Sequence, residues 1–199
     1  MKSFFLISLA FSLHFSLFSQ SNNLNKISTG YFKIKAVTGF ANSKEIKATN
    51  EFYTVSTDLN PPKNGFRIGV EAEYIIPNNK NKWSLFFETA LNKITYSNYK
   101  TNGISIEGTS NNLYFIFGGR HYMYLNNDVA FSLNANLMLR TSINSNLLIN
   151  NNNYKESNEL KLGFGTGFGL KWKNVNLEYR LSTLSNGVLI SYAFLESKK

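Results

Sequence analysis

Twelve charged residues fall where a strand would turn them to one side: Lys33, Lys35, Arg67, Glu71, Glu73, Glu88, Arg120, Arg140, Lys161, Lys171, Glu178 and Arg180. Glu71 and Glu73 are two apart, so a strand presents both carboxylates on one face. Paired carboxylates can donate or relay protons. The same set has a structural use. Opposite charges facing each other across a narrow bore must pair, because an unpaired buried charge is costly. The sequence favours this salt-bridged plug, with a proton or solute path as the alternative. Other chemistry has little to draw on. Outside the N-terminal leader the one histidine is His121, read as a strand-end residue, and there is no cysteine for disulfides, thiolate zinc or a lipoprotein anchor. The run Gly163-Phe164-Gly165-Thr166-Gly167 has the glycines of a phosphate loop but the alternation of a strand, and no helix follows it. No catalytic, cofactor-binding or metal residue is expected.

The elements that position these charges are clearest in the last third. Leu160, Leu162, Phe164, Thr166, Phe168, Leu170 and Trp172 alternate with Glu159, Lys161, four glycines and Lys171. After Lys173-Asn174 come Val175, Leu177, Tyr179 and Leu181 against Asn176, Glu178, Arg180 and Ser182. A third run sets Val188, Ile190, Tyr192 and Phe194 against Gly187, Leu189, Ser191 and Ala193. Period-two alternation means strands, because successive side chains leave opposite faces. A soluble barrel of lipocalin type would line its cavity with the apolar face. Here one face is glycines and charges, and aromatics stand at the strand ends, which fits a transmembrane barrel with an apolar exterior and a polar lumen. The alternate glycines leave room for lumen side chains from other strands.

Five earlier segments repeat the pattern: Tyr31 to Asn42, Gly65 to Ile76, Trp83 to about Tyr96, Leu113 to Tyr124 and Val129 to Arg140. In the fourth, aromatics near the end blur the parity. The total is eight strands. Joins at Pro77 to Asn81, Asn126-Asn127 and Lys173-Asn174 are short turns. They alternate with Ala41 to Asn64, Ser97 to Asn112 and Thr141 to Asn158, which are rich in Asn, Ser and Thr and are expected to be long, mobile loops. Short periplasmic turns and longer outer loops are the habit of outer-membrane barrels.

Met1-Lys2-Ser3 and the apolar run Phe4 to Phe18 read as a secretory signal peptide over residues 1–19, cleaved near Ser19/Gln20. Residues 20–199 are then a single barrel domain. A formal charge of +9 is in the range of nucleic-acid binders, but the leader implies export and many cations are expected to point inward, so no nucleic-acid partner is expected. Lys44, Lys47, Lys63 and Lys100 lie toward the outside, where lipopolysaccharide phosphates are natural counter-ions.

A leader, eight alternating strands and an aromatic final strand together resemble the small outer-membrane β-barrel domain family of Gram-negative bacteria, the OmpA/OmpX-like group. The assembly signal of that family matches Ser185, Gly187, Ile190 and Tyr192, with Phe194 continuing the face. The tail Leu195 to Lys199 departs from it, since many members end on the aromatic. The resemblance implies an all-β fold, an eight-stranded antiparallel up-and-down transmembrane barrel in the Gram-negative outer membrane. Its partners would be outer-membrane lipid and lipopolysaccharide, the barrel assembly machinery during biogenesis, and an extracellular ligand or envelope protein. It implies a non-enzymatic structural or surface-interaction role through long extracellular loops. A narrow channel or secretion component is the alternative. A lipid-modifying barrel enzyme is more remote, because it would need acid and nucleophile partners for His121.

Overall fold

The computed structural model describes residues 30–77, 80 and 82–197; the leader, its cleavage position and Lys198-Lys199 lie outside them. Nine strands run in chain order: β1 Tyr31–Thr49, β2 Thr54–Ile75, β3 Trp83–Thr101, β4 Ile104–Tyr124, β5 Val129–Ile149, β6 Asn152–Glu156, β7 Lys161–Trp172, β8 Val175–Ser182 and β9 Gly187–Ser197. Eight of them close an antiparallel up-and-down ring, β1-β2-β3-β4-β5-β7-β8-β9, and β9 pairs back onto β1 from Ala41↔Gly187 to Phe32↔Ser197. Closure leaves the wall no unpaired edge.

The outer face is apolar on every strand of the ring. Phe40, Ile68, Phe87, Phe117, Leu133, Phe168, Leu177 and Ile190, one per strand, are each 47–66% exposed. Their neighbours in sequence face inward and are buried, except Gly39 and Gly69, which are half-buried. The alternation also holds through β4, where parity was unclear. Asn112, Tyr114, Ile116, Arg120 and Tyr122 all face in, so the blur came from large apolar and aromatic side chains on the lumen side.

The three expected long loops are not loops. β1 to β5 continue well past the apolar belt and end in tight turns at 50–53, 102–103 and 150–151, the last leading into β6. β6 pairs with β5 at Leu147↔Tyr154 and touches β1 at Ala48↔Glu156. Together these extensions make a turret with its own core of Ile46, Ala48, Leu59, Ile94, Tyr96, Tyr99, Ile106, Leu147, Ile149 and Tyr154. Its polarity is the reverse of the belt's: apolar residues face in, and Asn, Ser, Thr and Lys face out. On β2 and β4 the inward face simply changes from charged to apolar, whereas on β1, β3 and β5 bulges also change which residues face in. Register shifts fall between Ser43 and Glu45 on β1, between Tyr96 and Tyr99 on β3, and beside Ile143 where β5 pairs with β4. On β5 the buried positions are even-numbered up to Ser142 and odd-numbered from Ser145 to Ile149. An unequal number of residues on the two strands at each shift swaps the inward parity on β1, β3 and β5, while β2 and β4 keep theirs, Leu59 sharing the parity of Arg67 and Ile106 that of Arg120.

The tail is also ordered into the wall. Leu195, Glu196 and Ser197 pair with Ile34, Lys33 and Phe32, beyond an irregularity at Phe194. Glu196 reaches the Lys33 ammonium at 2.6 Å.

Candidate functional site

Inside the ring, eight of the twelve charged residues meet in one network supplied by five strands. Lys35 on β1 lies 2.8 Å from Glu71 and 2.6 Å from Glu73, both on β2. Arg120 on β4 reaches Glu71, Glu73 at 3.0 Å and Glu178 of β8 at 3.0 Å. Arg180 on β8 joins Glu178 at 2.6 Å to Glu88 of β3 at 2.8 Å, and Arg67 completes the chain on Glu88 at 3.0 Å. Four cations (Lys35, Arg67, Arg120, Arg180) thus meet four carboxylates (Glu71, Glu73, Glu88, Glu178). All eight side chains are at most 5% exposed. Charge balance and charge-assisted hydrogen bonds are what make such burial tolerable.

Aromatic and hydroxyl groups hold this network in place. The Phe86 ring lies 4.5 Å from the Arg120 guanidinium carbon and 5.7 Å from that of Arg180. Tyr114 carries Arg67 at 4.7 Å. Tyr122 and Ser84 donate hydrogen bonds to Glu73 at 2.7 and 2.6 Å. The opposite wall, β5 and β7, supplies no charge at this level. The β7 glycines face inward, and a methyl group on Gly165 or Gly169 would run into Asn136 or Ser132 of β5 and the β8 backbone. Long side chains from one half of the ring fill the space the other half leaves.

The remaining charges are spread along the axis. Toward the turret, Arg140 holds Glu156 and donates to Ser43 and Asn112, each at 3.1 Å, while Ser110 donates to Glu156. Lys161 pairs with Glu45 at 2.5 Å at the lip. At the short-turn end, Lys33 pairs with Glu196, and Lys171 stands over the Tyr122 and Tyr124 rings at 5.1 Å each. The sequence reading omitted Glu45 and Glu156, which lay in stretches taken for loops, and also Phe86 and Tyr114, whose inward parity was readable.

The chemistry open to this arrangement is narrow. Each ionised group in the central network is held by opposite charges. His121 faces outward against the Trp83 ring, centroids 4.4 Å apart, away from the carboxylates. Among the described residues no cluster of three or more His, Cys, Asp or Glu is arranged to hold a metal ion.

No family model matches the chain, and no curated protein does. Among solved structures, it is similar to Ail, the attachment invasion locus protein of Yersinia pestis, at 13% identity over 84% of this chain and 99% of that one, with a TM-score of 0.46. It is also similar to Neisserial surface protein A, at 16% identity over 83% and 97% with a TM-score of 0.42, and to an outer membrane channel from Pseudomonas putida F1, at 8% identity over 87% and 100% with a TM-score of 0.25. The register of its own strands makes this chain an eight-stranded antiparallel up-and-down barrel, apolar outside and ionised within.

Proposed function

We propose that the chain is an integral outer-membrane barrel of a Gram-negative cell, non-enzymatic and closed to solutes, with a structural or surface-interaction role carried by its turret. The observation that carries this reading is the inversion of polarity along the strands. A belt that exposes apolar side chains all the way round suits hydrocarbon. The turret above it packs a core of apolar residues inside and shows mainly polar ones, as a wall in water must, with Phe52 and Tyr53 at its tip and Ile143 and Leu148 on its side as the exposed exceptions. The short turns then lie in the periplasm and the turret outside the cell.

The plug supports closure. Eight strands enclose a bore that side chains can fill, and here ion pairs fill it. That geometry speaks against the channel alternative. The turret replaces mobile loops with a preformed surface, which lowers the ordering cost of binding. At its β1–β2 tip, Asn50 Oδ1 accepts hydrogen bonds from the backbone N–H groups of Phe52 and Tyr53 at 2.9 and 2.7 Å. Those two aromatics are 81% and 69% exposed. Of the outward lysines suggested as lipopolysaccharide contacts, Lys47 is paired with Glu159, Lys63 stands over the Tyr99 ring, and Lys44 donates to the Ser182 carbonyl. The assembly-signal residues Ile190 and Tyr192 lie outward on β9, the strand that closes the ring onto β1.

Depth-dependent fluorescence quenching tests the membrane reading. Both tryptophans, Trp83 and Trp172, sit at the short-turn end of the belt and are half-exposed. In vesicles of lipids brominated at different depths, quenching is expected to be strongest for bromines near the headgroups. Emission unaffected by brominated lipid would refute insertion.

A further inference from the structure

Above the belt the turret divides into a four-stranded sheet and a two-stranded arm. β3, β4, β5 and β6 stay laddered to one another up to Thr101↔Ile104, Ile106↔Ile149 and Ile149↔Asn152. β1 and β2 stay paired with each other from Glu45↔Asp58 to Thr49↔Thr54. Between arm and sheet the ladders run out. Among the described residues β2 pairs with β3 no higher than Gly65↔Ile94, and β1 with β9 no higher than Ala41↔Gly187. Toward β6 the arm keeps two register pairs, Ala48↔Glu156 and Thr49↔Lys155, and the Ser157 N–H donates to the Lys47 carbonyl at 2.7 Å. Toward β3, side chains cross where a ladder would run: Thr101 Oγ1 donates to the Asp58 carbonyl and Asn102 Nδ2 to Thr57 Oγ1, each at 3.1 Å.

The foot of the arm is a hinge by construction. Between Ser43↔Lys63 and Glu45↔Asp58, Lys44 on β1 stands opposite four residues of β2, 59–62. Two of these, Pro61 and Pro62, have no N–H to give to a ladder. The arm and its foot lend Ile46, Ala48 and Leu59 to the turret core, and the sheet supplies the other seven residues. One buried pair fastens the two parts. Glu156 of β6 takes Arg140 and Ser110, and Arg140 also donates to Ser43, at the foot of the arm, at 3.1 Å. We propose that the arm, residues 45–58, is a hinged flap that opens from the turret core without unfolding the sheet or the barrel, with Arg140–Glu156 as its latch. Opening parts two register pairs and a few side-chain bonds, whereas parting β4 from β5 at that height breaks a continuous ladder. Local opening follows the line of fewest backbone bonds and buried contacts. The open flap uncovers Ile94, Tyr96, Tyr99 and Leu147, so the turret exchanges a polar surface for an apolar, aromatic one. This inference concerns the turret alone and does not depend on the role proposed above.

The chain has no cysteine, so single thiols report opening cleanly. The test labels Ala48→Cys, buried on the arm, and Ala90→Cys, buried inside the barrel on β3, with a thiol reagent on the refolded full chain. Hydrogen exchange of the β4–β5 amides at 104–110 and 144–149 is read on the same samples. The flap predicts that Ala48→Cys reacts at least about tenfold faster than Ala90→Cys while those amides stay protected. Glu156→Gln should speed the first reaction by about tenfold again and leave the second unchanged. A second measurement puts both probes on exposed positions, where labels disturb no packing. Spin labels at Ser56→Cys and Lys100→Cys, on either side of the seam, should show a second, longer distance that grows with Glu156→Gln. Labels at Lys100→Cys and Asn146→Cys, both on the sheet, should keep one distance. Ala48→Cys reacting no faster than Ala90→Cys, with a single seam distance even in Glu156→Gln, would overturn the flap. Loss of β4–β5 protection in step with Ala48→Cys labelling would also overturn it, because the turret would then open only as a whole.

Discussion

Arg120 grips Glu71 fork to fork, Nη1 donating to Oε1 at 2.7 Å and Nη2 to Oε2 at 2.9 Å. Both side chains are 1% exposed. Removing one partner strands a buried charge, which costs far more than the intact pair contributes. Arg120→Ala is therefore expected to destabilise the folded barrel by about 3–5 kcal/mol. Denaturant titration followed by heat-modifiable gel mobility checks it, and a loss below about 1 kcal/mol would mean that water reaches the network.

The lipid face gives a second, position-dependent expectation. Leu177→Arg, in the middle of β8 and outward, should cost about 2–4 kcal/mol in a bilayer. Ser56 is also exposed but lies on the turret above the belt, and Ser56→Arg should cost almost nothing. Equal losses at the two sites would place the membrane boundary elsewhere.

Gly169, which faces inward on β7, and Gly119, which faces outward on β4 beside Leu85, separate crowding from flexibility. A methyl group on Gly169 would meet the Leu177 carbonyl at 2.7 Å and the Ser132 hydroxyl at 2.8 Å, whereas on Gly119 the nearest atom is 3.9 Å away. Gly169→Ala should lose about 1–3 kcal/mol through overpacking. Gly119→Ala should be neutral or slightly stabilising. Unfolding midpoints compared in one detergent decide it.

The ring was legible in the sequence because an apolar outer face and a charged inner one impose alternation, and runs such as Leu162 to Trp172 keep it without interruption. The turret was hidden for a physical reason. β1, β3 and β5 keep the alternation but exchange faces at bulges, so Ile46 and Leu147 fall on the parity that faced out lower down. Their outer faces carry Asn, Ser and Thr, a composition shared with loops. The inward charges were also legible, and so was their use as a plug. Their pairing was not, because Glu178 meets Arg120 from a strand that is not its neighbour in the ring, and no local pattern encodes that.

The turret core is separate from the barrel interior, so damage there should remain local. Leu147→Ala, at a fully buried position, should weaken the turret by about 2–5 kcal/mol. Limited proteolysis should then cut near Asn50 to Tyr53 while a resistant barrel remains. Cleavage and barrel unfolding that rise together would show the two cores to be one cooperative unit.

Truncation after Phe194 removes three residues that pair with β1 and the Glu196 partner of buried Lys33. Insertion should survive, because the outward aromatic pattern of β9 is intact. The denaturation midpoint should fall, and Lys33→Met in the truncated chain should recover part of the loss. A truncated chain as stable as the full one would show that the tail contributes nothing to the wall.

Conductance of the refolded protein in a planar bilayer tests the plug most directly. With Arg67, Arg120 and Arg180 tied to Glu71, Glu88 and Glu178 across the bore, no steady current of porin size should appear, with or without an intact turret. A large, stable conductance that changes with Arg120→Ala or Glu178→Gln would contradict the account and make the lumen a pathway.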